Sequence, residues 1–427
     1  MASVDVPVAL LGYGTVGAAV SRFLTESADE IERATGHRLR VVRALVRDPD
    51  RKRSFPPESG VLTTSFEEIL GDESIAVVAE LMGGLDPTYD YVRRLLGAGK
   101  AVVSANKQLV ARRGAELFEA ASQAGVQLRF EASVCAAIPV IKMLRESLVV
   151  TNVHRVLGIV NGTTNFILTQ MESGASYANA LEEAQRLGYA EPDPTEDISG
   201  ADAAAKMAIL ATVAFGSRVV LGDVSFEGIE RVRPEHVRAA SDLDATVRLI
   251  GSATLVDGAV DVRVQPALVE RTHPLAAVRG AFNAVMLQGD AIREITVEGP
   301  GAGGTETASA VVADLVSVIG TTGTGFLQND ACWRTLDRLP SGELRSPMYL
   351  RIEVDDRPGV LAHVAERLAA EGVSVARLTQ HLLPAGASLD IVTHEAPVGR
   401  VEAALASIAA LDEVHGEPGL LRLIREE

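Results

Sequence analysis

The chain has 427 residues, with 57 acidic residues against 40 Lys and Arg, and its formal net charge is −17. This excess of negative charge opposes nonspecific binding to nucleic acid and to anionic membranes. Hydrophobic residues make up 47% and aromatic residues 4%, a composition typical of soluble α/β proteins and not of disordered chains.

The cysteines and the N-terminus bear on the cellular compartment. Cys135 and Cys332 supply neither a disulfide framework nor a metal-ligand spacing. The N-terminus enters a strand pattern at once, and no apolar run approaches the ~18 residues of a membrane span. We therefore expect a cytoplasmic protein with no signal peptide and no membrane partner, built from two to three domains of roughly 150 residues each.

The first element predicts a dinucleotide site. An apolar strand, Val6 to Leu11, is followed by GYGTVG and then by a helical pattern. In this order the glycines allow a tight turn, a close approach to a pyrophosphate and close helix packing, while the helix N-terminus faces the anion. A plain tight turn is the alternative. The candidate cofactor residues here are Gly12, Gly14, Thr15, Val16 and Gly17.

The second strand, RVVRALV, ends at Arg47 and Asp48. An acidic residue at this point would bind the ribose hydroxyls of NAD, whereas Arg47 could pair with the 2′-phosphate of NADP. Arg47 favours NADP, and Asp48 keeps NAD open. A solvated basic loop is the alternative interpretation.

The next segments alternate strand and helix, as in a parallel sheet: SIAVVAELMGG, TYDYVRRLLGAG, AVVSANK, a helix RRGAELFEAASQAG from Arg112, and a strand VQLRFEASV. Asn106 and Lys107 follow a strand, at the sheet edge where ligands bind. Lys107 is therefore a candidate site residue, and a solvated loop lysine is the alternative.

The pattern changes after about residue 134. NVHRVLGIVNGTTNFILTQM predicts a strand, a Gly-Thr-Thr turn and a helix. The small polar residues from Asn161 to Asn165 suit a loop that holds a polar ligand. The alternative is an N-cap by Thr163 or Thr164.

The stretch GYAEPDPTEDISGADAAAK leads into an apolar helix from about Gly200 to Phe215. A helix that is apolar on every face is expected to be buried. Asp202 and Lys206 are its polar exceptions and stand one turn apart on the same face, where such a pair serves either structure or chemistry. Ser199 with Asp202 also fits a capping box, which would be structural.

Strands from about Ala253 to Leu268 and from Ala284 to Glu298 suggest a mixed sheet. A glycine loop, PGAGGT, precedes the helix TASAVVADLVSVIG, which we expect to return to the first domain. Residues 321–347 read as a linker. From Met348 the pattern is β-α-β-β-α-β, which predicts a ferredoxin-like module.

Several motifs in this order resemble homoserine dehydrogenase: GYGTVG, AELMGG, GKAVVSANK, GIVNGTTNFIL, LGYAEPDPTEDISGADAAAK and PGAGGTETASAV. The segment DDRPGVLAHVAERLAAEGVSV resembles an ACT domain. The fold class implied is α/β: a Rossmann domain at 1–134 to which helix 305–320 returns, an α+β catalytic and dimerisation domain with a mixed sheet at 135–304, and an ACT domain at 348–427.

The resemblance implies NAD(P)-dependent interconversion of L-aspartate 4-semialdehyde and L-homoserine, on the route to threonine and methionine. Hydride transfer to an aldehyde builds negative charge on oxygen, which a cationic or acidic group must neutralise. By resemblance, Lys206 is the proton donor and acceptor, Asp202 orients it or holds a water, and Lys107 stands on the cofactor side near the reacting carbon. The implied substrate contacts are Glu191, Asp197, Tyr189, Gly162 and Thr163. Asn106, Lys107 and Gly303 join the cofactor residues.

The resemblance also implies a monovalent cation, usually sodium, held by backbone carbonyls of Glu131, Val134, Ala136 and Ile138. Here Cys-Ala-Ala replaces the family's glycine-rich turn, and alanine tolerates positive φ poorly. A second departure is Glu306, which replaces a usual proline close to the expected nicotinamide. This carboxylate either repels phosphates or simply sits at a helix N-terminus.

The ACT resemblance implies amino-acid sensing, and we expect feedback inhibition by threonine. The candidate effector residues are Asp356, Pro358, Gly359 and Val360, a turn whose backbone amides could meet a carboxylate. A ligand-free dimerisation module is the alternative. We expect a homodimer or homotetramer. Two other functions stay open: another NADP-linked reductase of a small amino-acid carbonyl compound, and a catalytically inactive amino-acid sensor.

Overall fold

The structure is a computed structural model in which residues 4–320 and 336–424 are described. The chain divides into two compact units. The first unit comprises Met1–Val156, Ala203–Val224 and Phe282–Leu336, and the second comprises Leu157–Asp202, Ser225–Ala281 and Asp337–Glu427. Within the described ranges, no helix is both long and apolar enough to span a bilayer.

The strands are numbered in chain order. They are β1 Val4–Leu11, β2 His37–Leu45, β3 Leu62–Thr63, β4 Val77–Glu80, β5 Ala101–Ser104, β6 Leu128–Arg129, β7 Val153–Ile159, β8 Ser225–Phe226, β9 Ala245–Val256, β10 Ala259–Glu270, β11 Phe282–Gly289, β12 Arg293–Pro300, β13 Asp337–Arg338, β14 Arg345–Ser346, β15 Met348–Val354, β16 Val375–Leu383, β17 Gly386–Thr393, β18 Ala396–Pro397 and β19 Val414–Ile424.

The helices are numbered in the same way. They are α1 Thr15–Glu26, α2 Ala28–Thr35, α3 Phe66–Gly71, α4 Thr88–Gly97, α5 Lys107–Ala124, α6 Val140–Lys142, α7 Gly162–Glu172, α8 Tyr177–Arg186, α9 Thr195–Ile198, α10 Ala201–Phe215, α11 Pro234–Asp242, α12 Gly304–Gly320, α13 Val360–Ala370 and α14 Val398–Ala409.

The first unit contains a parallel sheet in the order β3-β2-β1-β4-β5-β6. The order reverses between β1 and β4, which is where such sheets bind dinucleotides. The predicted Rossmann sheet is thereby confirmed. The predicted strand VQLRFEASV is longer than β6, because the chain turns into a short 3-10 helix at Glu131–Ser133.

The hydrophobic core of the first unit contains side chains from its first strand, β1, and from its late helix α12. Val8 and Leu10 of β1 are fully buried in one cluster with Val311 and Leu315 of α12. Burying side chains of this size contributes about 1.5–3 kcal/mol each. The helix after the glycine loop is therefore part of the same core as the first strand.

The second unit contains a mixed sheet in the order β9-β10-β19-β15-β17-β16. The predicted single strand from Ala253 to Leu268 is wrong, because this stretch contains a turn between β9 and β10. Asp257 and Gly258 both adopt positive φ there, at 50° and 83°, as the tight turn of a β-hairpin requires. In the first unit, the stretch from Ala284 to Glu298 likewise holds two antiparallel strands, β11 and β12.

The C-terminal module has the predicted β-α-β-β-α-β order, formed by β15, α13, β16, β17, α14 and β19. Its last strand also pairs in parallel with β10, so its sheet continues the preceding one. The predicted linker is only partly described, since residues 321–335 lie outside the described residues. The C-terminal part of the predicted linker forms two short strands: β13 pairs with β10, and β14 pairs with β18.

Candidate active site

The glycine turn of the first unit has the geometry that its motif predicts. Gly12 has φ of 103°, and a methyl group on Gly17 would lie 2.4 Å from the carbonyl oxygen of Gly12. A methyl group on Gly14 would meet nothing within 4 Å. Gly14 caps α1 without a side-chain bond, and Thr15 and Val16 open the helix. The N-terminus of α1 therefore suits a phosphate of a dinucleotide.

The loop after β2 carries the basic residues that bear on cofactor choice. Arg47 is exposed, and Oδ1 of Asp48 accepts a 2.9 Å hydrogen bond from the amide of Asp50. The Arg53 guanidinium donates to the carbonyls of its own loop, at 2.6 Å to Asp48, and lies 6.0 Å from the ring centroid of Tyr13. The Arg53 guanidinium thus holds this loop together beside the glycine turn, and Arg47, directly after β2, is exposed.

A buried carboxylate, which the sequence reasoning missed, organises the ends of β4 and β5. Glu80 is fully buried, and its Oε1 accepts hydrogen bonds from the amides of Met82 and Gly83 at 2.9 and 3.2 Å. Its Oε2 accepts a 2.6 Å bond from Oγ of Ser104. Burial raises the pKa of Glu80. The signal available was a single acidic residue inside the apolar run SIAVVAELMGG.

Asn106 fixes the start of α5. Its Oδ1 accepts a bond from the amide of Leu109 at 3.0 Å, and its Nδ2 donates to the carbonyl of Gly84 at 2.7 Å. The expectation that the helix begins at Arg112 is wrong, because this cap starts the helix at Lys107. Lys107 is therefore the first helical residue and not part of a solvated loop.

The second glycine loop of the first unit also lies at a helix start. Gly303 has φ of 135°, a conformation that favours glycine. Its missing side chain leaves the space that the Glu306 carboxylate fills, since a methyl group on Gly303 would lie 2.0 Å from Oε2 of Glu306. A methyl group on Gly304 would lie 2.7 Å from Cγ2 of Thr15. Glu306 thus lies in the first turn of α12, where its charge is favourable.

In the second unit, one amide joins two of the predicted carboxylates. Nδ2 of Asn161 donates to Oδ1 of Asp197 at 2.8 Å and to Oδ2 of Asp202 at 2.9 Å. Asn161 and Asp202 are buried, at 4% and 3% exposure. The acids come from α9 and α10, and the asparagine follows β7. The fold therefore brings Asn161 together with two carboxylates that lie far from it in sequence.

The predicted Gly-Thr-Thr turn is the first turn of α7. Asn161 is the N-cap, accepting from the amide of Thr164 at 2.8 Å, so the alternative of a cap by Thr163 or Thr164 is wrong. A methyl group on Gly162 would lie 2.5 Å from the carbonyl oxygen of Ala281. This position therefore tolerates only glycine without a backbone shift.

The other predicted substrate residues lie beside this helix. Oγ1 of Thr163 donates a 2.5 Å hydrogen bond to the carbonyl of Tyr189, whose ring centroid is 5.0 Å from that of Phe166. Tyr189 and Glu191 are exposed, and Nε2 of Gln185 donates to the carbonyl of Glu191 at 3.2 Å. The carbonyl contacts hold this loop while the Glu191 side chain faces solvent.

Helix α10 is buried as its composition predicts. Asp202 lies in its first turn, and Lys206, one turn later, is 9% exposed. Ser199 is the C-cap of α9, and the bond from Asn161 occupies Oδ2 of Asp202. Asp202 thus accepts a hydrogen bond from Asn161, a residue distant in sequence. The capping-box alternative, which paired Asp202 with Ser199, did not predict this bond.

The candidate cation loop contains one strained residue. Ala136 adopts φ of 43°, the conformation that the family's glycine-rich turn would adopt without strain. The carbonyls of Glu131 and Ile138 accept bonds from the amides of Val134 and Val140 at 3.4 and 2.8 Å. Across the described ranges, no group of three His, Cys, Asp or Glu side chains could hold a metal ion, so any cation here would rely on carbonyl oxygens.

The side chain of Glu131 serves the fold. Its two oxygens accept bonds from the amides of Ile141 and Lys142 at 2.8 and 2.7 Å, while its own amide donates to Asp314 at 2.8 Å. Burial, with the nearby Asp314 charge, raises the pKa of Glu131 to about 7, and burial raises the pKa of Asp314 to about 6. This carboxylate caps α6 and is not placed as a ligand.

The candidate effector turn precedes α13. Gly359 is the N-cap with φ of 97° and no side-chain cap bond, and Val360 is the first helical residue. Asp356 and Pro358 are exposed, and Oδ1 of Asp356 accepts a 3.3 Å bond from Gln380. The turn therefore presents backbone amides at a helix start, as a ligand carboxylate would need.

The chain is similar to known proteins along most of its length. Residues 12–131 match the family model described as "Homoserine dehydrogenase, NAD binding domain", residues 139–316 match "Homoserine dehydrogenase", and residues 348–413 match "ACT domain". A homoserine dehydrogenase of Mycobacterium tuberculosis is 42% identical over 436 residues, covering 98% of this chain and 97% of that protein.

Solved structures give the same result. The crystal structure of a homoserine dehydrogenase from Thiobacillus denitrificans matches with a TM-score of 0.94 and 39% identity over 99% of both chains. A hyperthermophilic archaeal homoserine dehydrogenase, solved in complex with NADPH, matches with a TM-score of 0.63 and 30% identity, covering 74% of this chain and 97% of that one.

Proposed function

The chain belongs to the homoserine dehydrogenase family, and from this premise we propose that it interconverts L-aspartate 4-semialdehyde and L-homoserine with NADP as the preferred cofactor. The resemblance drawn from the sequence motifs and the oxidoreductase class are confirmed. The residue roles, the cofactor preference and the regulation that follow are proposals. We place the activity in the cytoplasm, on the route to threonine and methionine.

The observation that carries the proposal is the buried pair of polar residues on α10. Lys206 is shielded from water, so its ammonium suits the transfer of a proton to the aldehyde oxygen of the substrate. Asp202, one turn earlier on the helix, orients Lys206 or a water. When bound, the nicotinamide cofactor supplies or accepts the hydride. Lys107, at the N-terminus of α5, adds positive charge near the developing alkoxide.

Substrate binding falls to the α7 start and the loop before α9. Glu191 has an exposed carboxylate, which suits the ammonium group of an amino-acid substrate. Asp197 supports the same charge. Thr163, Gly162 and Tyr189 provide hydroxyl and backbone groups for the polar end of the substrate, held by the bond between Thr163 and the Tyr189 carbonyl.

The glycine turn, the loop after β2 and Gly303 fit a dinucleotide. Gly14 leaves open space at the N-terminus of α1, and Asn106 positions Lys107 after β5, at the same carboxyl-terminal edge of the parallel sheet. For NADP, Arg47 supplies an exposed guanidinium while Asp48 is engaged by the amide of Asp50. The archaeal relative's complex with NADPH supports this preference, and NAD is the alternative.

A sodium ion coordinated by carbonyls of Glu131, Val134, Ala136 and Ile138 is part of the proposal. The observation that favours it is the positive φ of Ala136. A non-glycine residue keeps such a strained conformation, at a cost of about 1–3 kcal/mol, only where its surroundings enforce it. A cation that draws the carbonyls inward would offset this cost.

For the C-terminal module we propose feedback inhibition by threonine at the turn of Asp356, Pro358, Gly359 and Val360. The uncapped N-terminus of α13 suits the threonine carboxylate. We also propose a homodimer or homotetramer, with domains at 1–134, 135–304 and 348–427.

The test is consumption of NADPH or NADH with L-aspartate 4-semialdehyde, with and without threonine. We expect turnover with a preference for NADPH and a reduced rate at millimolar threonine. Failure to turn over this substrate, with activity on another amino-acid carbonyl compound, would favour the reductase alternative. Asp356→Ala should weaken inhibition at least tenfold, whereas Glu366→Ala, on the exposed face of α13, should leave it unchanged. Equal inhibition of both variants would remove the effector assignment.

A further inference from the structure

Asn161 uses the full hydrogen-bonding capacity of its side-chain amide. Its Nδ2 donates one hydrogen to Asp197 at 2.8 Å and one to Asp202 at 2.9 Å. Its Oδ1 accepts from the amide and the hydroxyl of Thr164, at 2.8 and 2.9 Å. A carboxamide has two donor hydrogens and two acceptor lone pairs. With both pairs occupied, the plane of the amide and the positions of both carboxylate oxygens are fixed.

Capping alone does not account for asparagine here. Serine, threonine and aspartate cap helices about as well as asparagine does, and each would satisfy the amide of Thr164. None of them carries two N–H donors, and only such a group can bond to Asp197 and Asp202 together. The need to donate to both Asp197 and Asp202, and not the need to cap α7, therefore explains why asparagine occupies position 161.

The two carboxylates need such a donor. Both bond to one nitrogen, so they lie close together in a largely buried region where like charges repel strongly. Hydrogen bonds donated to the ionised form offset that repulsion and stabilise the charge. Without them, Asp202 would turn toward other donors, and its carboxylate would lose the direction that Asn161 imposes.

We propose that Asn161 is a positioning residue for proton transfer, acting through Asp202. The amide sets the direction of the Asp202 carboxylate, which in turn orients the ammonium of Lys206 or its water. This inference rests on the proposed catalytic roles of Asp202 and Lys206. Asn161 itself touches neither substrate nor cofactor in this assignment.

Asn161→Asp is the most direct test, because aspartate is the same size, keeps the cap of α7 and loses both donors. We expect kcat to fall by about 100-fold, the cost typical of a displaced catalytic group, with the KM for NADPH changed less than threefold. Asn161→Ser keeps a capping hydroxyl, adds no charge and should show the same loss of kcat, so it serves if the aspartate variant does not fold. Ser176→Ala, which removes the N-cap of α8, is the matched control and should retain wild-type kcat.

The double variant Asn161→Asp/Asp202→Asn distinguishes positioning from general stability. If Asn161 acts through Asp202, adding Asn161→Asp to Asp202→Asn should lower kcat by less than threefold, because the coupled partner is already lost. A full further 100-fold loss would overturn the inference, as would wild-type kcat in Asn161→Ser. Wild-type protein inactive toward L-aspartate 4-semialdehyde would instead overturn the proposed function, and this inference with it.

Discussion

Oε2 of Glu80 accepts a 2.6 Å hydrogen bond from Oγ of Ser104, and both side chains are fully buried at the ends of β4 and β5. Oγ of Ser104 in turn accepts from the amide of Asn106 at 3.1 Å. This hydrogen-bond network extends from the backbone amides of Met82 and Gly83, through Glu80 and Ser104, to Asn106, the N-cap of α5. One buried carboxylate therefore links the loop after β4 to the helix that begins with Lys107.

Replacing Glu80 by Ala should both destabilise the protein and weaken cofactor binding. The amides of Met82 and Gly83 and the hydroxyl of Ser104 would lose their acceptor, at about 1–3 kcal/mol for each buried group left unpaired. We expect a clear drop in the melting temperature and at least a tenfold rise in the cofactor KM. Glu80→Gln keeps an acceptor for the two amides and should remain within threefold of wild-type KM. An alanine variant with normal KM would show that the network does not serve the cofactor loop.

Glu80→Gln should also gain stability relative to wild type as pH rises. Burial raises the pKa of Glu80 above its ordinary value of 4.5. The folded state then holds a proton that the unfolded state has released, so stability falls as pH rises through the raised pKa. Glutamine cannot ionise. Melting temperatures from pH 5 to pH 9 should diverge in favour of the variant, and parallel curves would contradict this account.

Lys206→Ala should abolish most of the activity while leaving cofactor binding intact. Loss of a general acid costs about 10²–10⁴-fold in rate. We expect kcat to fall by at least 100-fold, with NADPH binding measured by fluorescence changed less than threefold. Lys206→Arg keeps the charge but is a poor proton donor, so it should also be slow. A loss below tenfold in Lys206→Ala would mean that another group transfers the proton.

Arg47→Ser should reduce the preference for NADPH. The exposed guanidinium would pair with the 2′-phosphate, and charged hydrogen bonds of this kind are worth about 1.5–3 kcal/mol. We expect the KM for NADPH to rise roughly 10- to 100-fold, with the KM for NADH nearly unchanged. Arg38→Ala, at the other end of β2 and paired with Asp29 and Glu32, is the control. Equal effects on both cofactors would remove Arg47 from the 2′-phosphate site.

His236 should make part of the stability depend on pH. Burial, together with the charge of Arg351, lowers the pKa of His236 below its ordinary value of 6.5, and its Nδ1 accepts a 3.3 Å bond from the amide of Arg233. Below pH 6.5 the unfolded chain binds a proton that the folded protein does not, so stability is lost as pH falls. His236→Gln keeps an acceptor and should lose less stability between pH 7 and pH 5. Urea unfolding at both pH values measures the difference.

The sequence by itself determined the order of the domains and indicated the catalytic candidates, whose roles stay predictions. Short apolar strands that alternate with helices dictate a parallel sheet, and the glycines of GYGTVG mark its ligand edge, because both signals are local. The pattern of the C-terminal segment likewise predicted β15, β16, β17 and β19, with the two helices between them, in the right order. Asp202 and Lys206 were identifiable because they are the polar exceptions on an apolar helix.

Only the tertiary structure decided what those residues contact. Asn161 bonds to Asp202 across 41 residues of sequence, and Glu80 bonds to Ser104 across 24. No local pattern encodes such pairs, since they depend on which strands and helices become neighbours. The start of α5 at Lys107 was missed because a single side-chain bond, from the amide of Leu109 to Asn106, sets that boundary. The turn between β9 and β10 was missed because two consecutive residues with positive φ, Asp257 and Gly258, set it. Asp202, predicted as half of a pair on one helix, is held in the structure by an asparagine from another part of the chain.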